Sequence, residues 1–194
     1  MAAVVAASNY LVQFPVQQFG LGEILTWGAF TYPVAFLVND LTNRRFGPEA
    51  ARRVVFAGFV LAVILSIWLA SPRIAIASGV AFLSAQLLDI SVFNSFRRQA
   101  WWRAPFISTL AGSVIDTLLF FSLAFAATFA FLDTGIGLED GSLAFQVAWF
   151  GTEVPLWVSL AFGDFCVKIL VGLAMLVPYG ALLGVLRPVE ASRS

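Results

Sequence analysis

The sequence predicts an all-α integral membrane protein. It reads as a bundle of six transmembrane helices, one domain over 1–194, with both termini in the cytoplasm. Three observations predict it. The 194 residues are 60% hydrophobic and only 11% charged, against about 25% charged in soluble domains. The apolar runs are continuous and reach the roughly 20 residues a helical span needs, which excludes the alternating pattern of a membrane β-barrel. Basic residues are also asymmetric. Arg44, Arg45, Arg52, Arg53, Arg97, Arg98, Arg103, Arg187 and Arg193 fall on one side of the six spans, and Arg73 alone on the other. The positive-inside rule assigns the first side to the cytoplasm.

The first span covers 2–19. It is polar at Asn9 and Gln13, is interrupted by Pro15 and has no Lys or Arg ahead of it, so an uncleaved helix is expected rather than a signal peptide. The second covers 24–42 and contains Tyr32-Pro33, where proline removes a backbone donor and bends a helix. Breaks of this kind mark sites in many membrane proteins, but packing also tolerates them. The third span covers 54–71, the fourth 74–96 and the fifth 105–131. The sixth covers 155–186 and holds Pro155, Gly163, Gly172 and Pro178, so part of it is expected to kink or lie flat. Leu143–Phe150 is apolar but too short to cross. It is expected at the interface, with Trp149 and Trp157 as headgroup-level anchors. Asp40 followed by Arg44-Arg45 and Asp89 followed by Arg97-Arg98 form a weak pattern, read as an internal repeat or as topology signals.

Asp40, Asp89, Asp116, Asp164 and Lys168 lie inside these spans. A charge near the bilayer centre costs roughly 2.5–3.5 kcal/mol on insertion scales, so the chain must pair, neutralise or use them. Gln86, Asp89 and Phe93 share a face at i, i+3 and i+7, with Asn94 beside them. Ser108, Gly112, Asp116 and Phe120 recur every fourth residue, flanked by Thr109, Ser113 and Thr117. Small residues at this spacing let helices approach closely, but packing needs no acid, and a cavity-lining stripe is expected. Asp164 and Lys168 form an i, i+4 pair, either a self-neutralising structural pair or a partner for Asp116 at the same depth.

Several functions are disfavoured. Zero net charge offers no basic field to nucleic acid. No histidine and a single cysteine, Cys166, leave no zinc or iron ligand set. No catalytic residue, metal or cofactor is expected, and no G-x-x-x-x-G-K-[ST] loop is present to bind ATP. Carboxylates, amides and aromatic rings suit a flat polar heteroaromatic ligand, because one carboxylate accepts two adjacent N–H groups. Amino acids, cations and protons would suit buried aspartates too.

Strings along nearly the whole chain are similar to a known family. They are Ser8-Asn9-Tyr10-Leu11-Val12-Gln13, Trp27-Gly28-Ala29-Phe30, Asn39-Asp40-Leu41-Thr42 through Phe46-Gly47, Gln86-Leu87-Leu88-Asp89 with Val92-Phe93-Asn94, Trp101-Trp102-Arg103-Ala104-Pro105, Ser108-Thr109, Asp116-Thr117 and Asp164-Phe165-Cys166-Val167-Lys168. Each is weak alone; in order, they resemble the queuosine precursor transporters, also called vitamin-uptake-type transporters. The chain departs from some members in starting almost at the first of these strings. The resemblance implies an inner-membrane importer of 7-cyano-7-deazaguanine, with 7-aminomethyl-7-deazaguanine as a second substrate, acting as a secondary carrier. The implied partners are the deazapurine and membrane lipid, and a homo-oligomer is compatible with them. Asn9, Gln13, Trp27, Phe30, Asp40, Gln86, Asp89, Phe93, Asn94, Asp116, Phe120, Asp164 and Lys168 are the expected substrate-binding residues. One alternative is a substrate-binding membrane subunit of an energy-coupled vitamin or nucleobase importer. An intramembrane aspartyl protease is disfavoured: Ala161-Phe162-Gly163-Asp164 lacks the first glycine of Gly-x-Gly-Asp, and there is no Tyr-Asp string.

Overall fold

The computed structural model describes residues 1–11, 14, 16–17, 27–69, 71–149 and 151–184, without the side chains of residues 2, 9 and 67–69. Among them the helices are α1 (Ala2–Leu11), α2 (Gly28–Thr31), α3 (Pro33–Phe46), α4 (Pro48–Leu69), α5 (Pro72–Phe96), α6 (Arg103–Phe125), α7 (Phe131–Thr134) and α8 (Leu156–Leu183). Two short strands, β1 (Gln146–Trp149) and β2 (Thr152–Pro155), precede α8. The helical membrane architecture stands. α5, α6 and α8 are each long and apolar enough to cross a bilayer.

Prolines set several boundaries. Pro33 begins α3 rather than sitting inside a longer helix, so the expected second span is divided at Tyr32 into α2 and α3. Proline fits the first turn of a helix, where its missing N–H has no intrahelical partner to lose. Gly47, at φ 86, ends α3, and Pro48 starts α4 six residues before the expected third span. Ser71 caps α5 by accepting from the Ile74 N–H at 3.3 Å, with Pro72 in the first turn. α6 stops at Phe125 and passes into a 3₁₀ turn, Ala127–Phe129, six residues short of the expected 131. α8 runs unbroken from Leu156 through Pro178 to Leu183, while Pro155 ends β2 and residues 185–186 of the expected span lie outside the described residues.

The apolar Leu143–Phe150 segment contains a strand, which departs from an all-α expectation. β1 pairs antiparallel with β2, from Gln146 opposite Pro155 to Trp149 opposite Thr152. Gly151 in the turn has φ 85, a conformation that costs glycine little.

α5 and α6 form the central antiparallel pair, with α4 against α5 and α8 against α6. α3 packs against α4, α5 and α8, and α1 lies on α4. One apolar core joins Val5, Ala35, Ala51, Val55, Phe82 and Ile90 from α1, α3, α4 and α5. A second joins Phe93, Ala104 and Tyr179 from α5, α6 and α8. Gly112 permits a close approach: a Cβ there would lie 2.6 Å from the Phe36 ring and 3.3 Å from the Ala85 carbonyl oxygen. At this position the small-residue stripe of α6 packs helices together, correcting the expected cavity lining.

Arg73 is buried at the start of α5 and gathers the following loop. It donates to the carbonyls of Leu123 (2.8 Å) and Ala126 (2.6 Å), to Asp133 (3.0 Å), to Ser142 (3.1 Å) and to Asp140 (3.4 Å). The one basic residue on its side of the sequence pattern is thus held by local bonds. Hydrogen bonds from Ser142, helped by Arg73, hold the exposed Asp140 carboxyl below the usual range.

Candidate functional site

Two polar clusters lie between the helices. The first centres on Lys168 of α8. Its Nζ donates to Asp116 Oδ2 at 2.6 Å, to Thr117 Oγ1 at 3.3 Å and to Asp164 Oδ2. Thr117 donates to Asp164 Oδ2 at 3.0 Å, and the Tyr32 hydroxyl donates to Asp116 Oδ1 at 3.2 Å. The Lys168 and Asp116 side chains are each 5% exposed and that of Asp164 is 16% exposed. Lysine has three donors, and all three are used. The expected alternatives for Lys168, Asp164 or Asp116, are therefore both realised. Tyr32, at the α2–α3 break, belongs to the cluster and was missed as a site residue. Its signal was the Tyr-Pro dipeptide inside an apolar run.

The second cluster lies between α3, α5 and the start of α6. Asn39 Nδ2 donates to Asp89 Oδ2 at 2.8 Å and to the Gln86 carbonyl at 3.3 Å. Ser108 Oγ donates to Asp40 Oδ1 at 3.3 Å. Asn43 Nδ2 donates to the Ile90 carbonyl at 3.4 Å. Asn39, Asp40, Asn43, Gln86 and Asp89 are all essentially inaccessible. Both amide atoms of Gln86, Asp89 Oδ1, Asn39 Oδ1 and Asn43 Oδ1 have no protein partner. Leaving a buried polar atom unpaired costs about 1–3 kcal/mol, so these five atoms form a buried set with unused hydrogen-bonding capacity. Asn39 and Asn43 were missed as site residues, though their i, i+4 spacing beside Asp40 was the available signal.

A narrow crevice with room for about one water, about 10 Å³, lies between α3, α6 and α8, lined by Leu37, Asp40, Pro105, Thr109, Met175 and Tyr179 among others. Near its Tyr179 end Arg44 donates to the Tyr179 hydroxyl at 2.9 Å and to the Arg97 carbonyl at 2.8 Å, and Arg97 donates back to the Arg44 carbonyl at 2.7 Å. The Arg44 guanidinium also lies 5.4 Å from the centroid of the buried Phe93 ring. Partial burial, then the charge of Arg44, lower the Arg97 pKa.

The other expected site residues fall elsewhere. Trp27 and Phe30 are surface-exposed and pack on each other at 5.8 Å. Phe120 packs edge-on against Phe121 and Phe125. Asn94 is half-buried in the last turn of α5, where its carbonyl accepts from the Arg97 N–H. Gln13 and the Asn9 side chain lie outside the described residues.

Membrane-length apolar helices that bury aspartates, a lysine and amides between them define a multi-pass membrane protein with a polar interior. The chain matches the family model described as "Putative vitamin uptake transporter" over residues 26–71 and 66–182. It is 36% identical to the "Queuosine precursor transporter" of Escherichia coli (strain K12), covering 98% of this chain and 86% of that protein. It is 33% identical to the "Probable queuosine precursor transporter" of Haemophilus influenzae, covering 94% and 83%. A Bacillus subtilis protein described in the same words is 27% identical over 61% of this chain and 63% of its own length. No solved structure matches the chain. The chain belongs to this transporter family. It is a multi-pass transport protein of the bacterial inner membrane, and not an enzyme.

Proposed function

We propose that the chain imports a queuosine precursor, 7-cyano-7-deazaguanine or 7-aminomethyl-7-deazaguanine, as a secondary carrier. Its single domain has six spans with both termini in the cytoplasm. The observation that carries the reading is the unpartnered edge formed by Gln86 and Asp89 on successive turns of α5. A deazaguanine presents adjacent N–H donors next to a carbonyl. Asp89 Oδ1 accepts from the donors and the Gln86 amide donates to the carbonyl, in a complementary pairing. The names of the relatives support the same substrate class. Asp116, whose two oxygens already accept from Tyr32 and Lys168, is the weaker choice for substrate reading.

The test uses purified protein and labelled 7-cyano-7-deazaguanine. The wild type binds it and equilibrates it across liposomes. Asp89→Asn and Gln86→Ala each weaken equilibrium binding roughly tenfold or more, since about 1.4 kcal/mol is a factor of ten. Full affinity in both variants would remove the assignment. Tight binding without any flux would favour a substrate-binding subunit of a larger importer.

A further inference from the structure

We propose that the turn between α5 and α6 holds the headgroup of an anionic phospholipid, with Arg97, Arg98 and Arg103 around its phosphate and an acyl chain along α8. The site is separate from the buried polar clusters and does not depend on the precursor's identity.

Charge at this end of the bundle is unbalanced. Residues 43–56 and 95–106 together hold seven arginines against one acid, Glu49. Arg52 takes that acid. Arg44, one turn after the buried Asp40, is spent on the Tyr179 hydroxyl and the Arg97 carbonyl. Among the described residues, Arg97, Arg98 and Arg103 form no ion pair. The fold keeps these three together. Arg97 caps α5, and two backbone bonds tighten the turn: the Gln99 N–H donates to the Phe96 carbonyl and the Arg103 N–H to the Ala100 carbonyl, each at 2.9 Å. Arg103 Nη1 then donates back to Gln99 Oε1 at 3.2 Å.

The same turn carries two exposed indole rings, Trp101 and Trp102. Tryptophan sits at the headgroup level of a bilayer, and the Arg103 guanidinium lies 5.7 Å from the Trp102 ring centroid. The arginines are therefore at the depth of lipid phosphates, which the guanidinium fork fits in a bidentate way. Basic sites beside the spans on the cytoplasmic side bind anionic headgroups on this principle.

α8 supplies the apolar half. The Trp101 ring rests on Gly180, where a Cβ would lie 3.1 Å from it. Leu173, Val177 and Gly180 follow one another at i+4 and i+3, on one stripe of the helix. Val177 is 75% exposed and Leu173 44%. An uncovered apolar strip thus leads from Trp101 along α8. A phosphate held at the turn carries its acyl chain onto that strip, whereas free phosphate leaves the strip bare. A zwitterionic lipid brings a cation of its own to an already cationic site, so charge complementarity selects an anionic lipid.

Titrating the purified full chain in detergent with phosphatidylglycerol, and counting bound lipid by native mass spectrometry, tests this. The wild type retains one phosphatidylglycerol roughly tenfold more tightly than phosphatidylcholine. Arg98→Gln with Arg103→Gln lowers that affinity roughly tenfold, through two lost charge-assisted contacts. Both side chains are exposed, and an unchanged melting temperature without lipid checks the fold. Arg52→Gln with Arg53→Gln removes as many arginines from the start of α4 and leaves the affinity nearly unchanged. Trp101→Ala leaves every charge in place and still weakens retention several-fold. Equal retention of the two lipids, equal losses in the two double variants, wild-type affinity in Trp101→Ala, or displacement of the lipid by millimolar inorganic phosphate would each overturn the site. So would a lipid-free dimer of the wild type that Arg98→Gln with Arg103→Gln dissociates, since a second copy would then cover this face.

Discussion

Lys168 shows how a membrane interior holds charge without lipid contact. Its ammonium group bridges a carboxylate one turn earlier on its own helix and another on α6. Removing one partner of a buried ion pair costs about 3–5 kcal/mol, because it strands a charge. Lys168→Met strands two. Thermal unfolding in detergent should show this variant well below the wild type. The triple change Lys168→Met, Asp116→Asn and Asp164→Asn should recover most of the loss, because no unpaired ion remains. A triple variant as unstable as the single one would mean that packing, and not charge, holds these helices. The i, i+4 half of the arrangement was readable from sequence. The Asp116 half was readable only as similar depth on another helix. The Tyr-Pro dipeptide marked Tyr32 but not the partner of its hydroxyl, which is 84 residues away and is brought to it only by the fold.

At the scale of elements, the close approach of α3 to α6 depends on Gly112. A methyl group there would meet the Phe36 ring at 2.6 Å and the Ala85 carbonyl oxygen at 3.3 Å, so the ring must move to admit it. Overpacking of this kind costs about 1–3 kcal/mol. Gly112→Ala should therefore lower the melting temperature, with Phe36→Leu in the same chain restoring part of it. An unaltered melting temperature in the single variant would show that the helices move apart freely. The helices themselves were legible, because length and apolarity suffice to predict a span. Their ends were less so. The second expected span misread Pro33 as an interruption where it is a start, since proline serves either role and the preceding turn decides. The β-hairpin was hidden because Leu143–Phe150 is too short for periodicity to separate a strand from an interfacial segment.

For the whole molecule, the distribution of arginines predicts its orientation. A reporter fused after residue 194 should signal from the cytoplasmic side, and a label at Gly141 should be accessible from the periplasm. The reverse pattern would remove the orientation and, with it, the direction of import. Arg73 counts for little in that sum, since it is a loop clamp. The polar clusters were legible as a set of buried acids but not as two separate groups. Sequence gives depth along each helix, while rotation about the axis decides which acids meet.

The reciprocal bonds between Arg44 and Arg97 have a mechanical consequence. Each side chain grips the other residue's backbone carbonyl, so a piston-like slide of α3 along α5 must rupture both bonds together. A swivel about them ruptures neither. The opposite end of α3 begins at the Tyr32–Pro33 junction, where a new helix starts. There the Tyr32 hydroxyl donates to Asp116 at 3.2 Å, so α3 is tied to the end of α5 at one terminus and to α6 at the other.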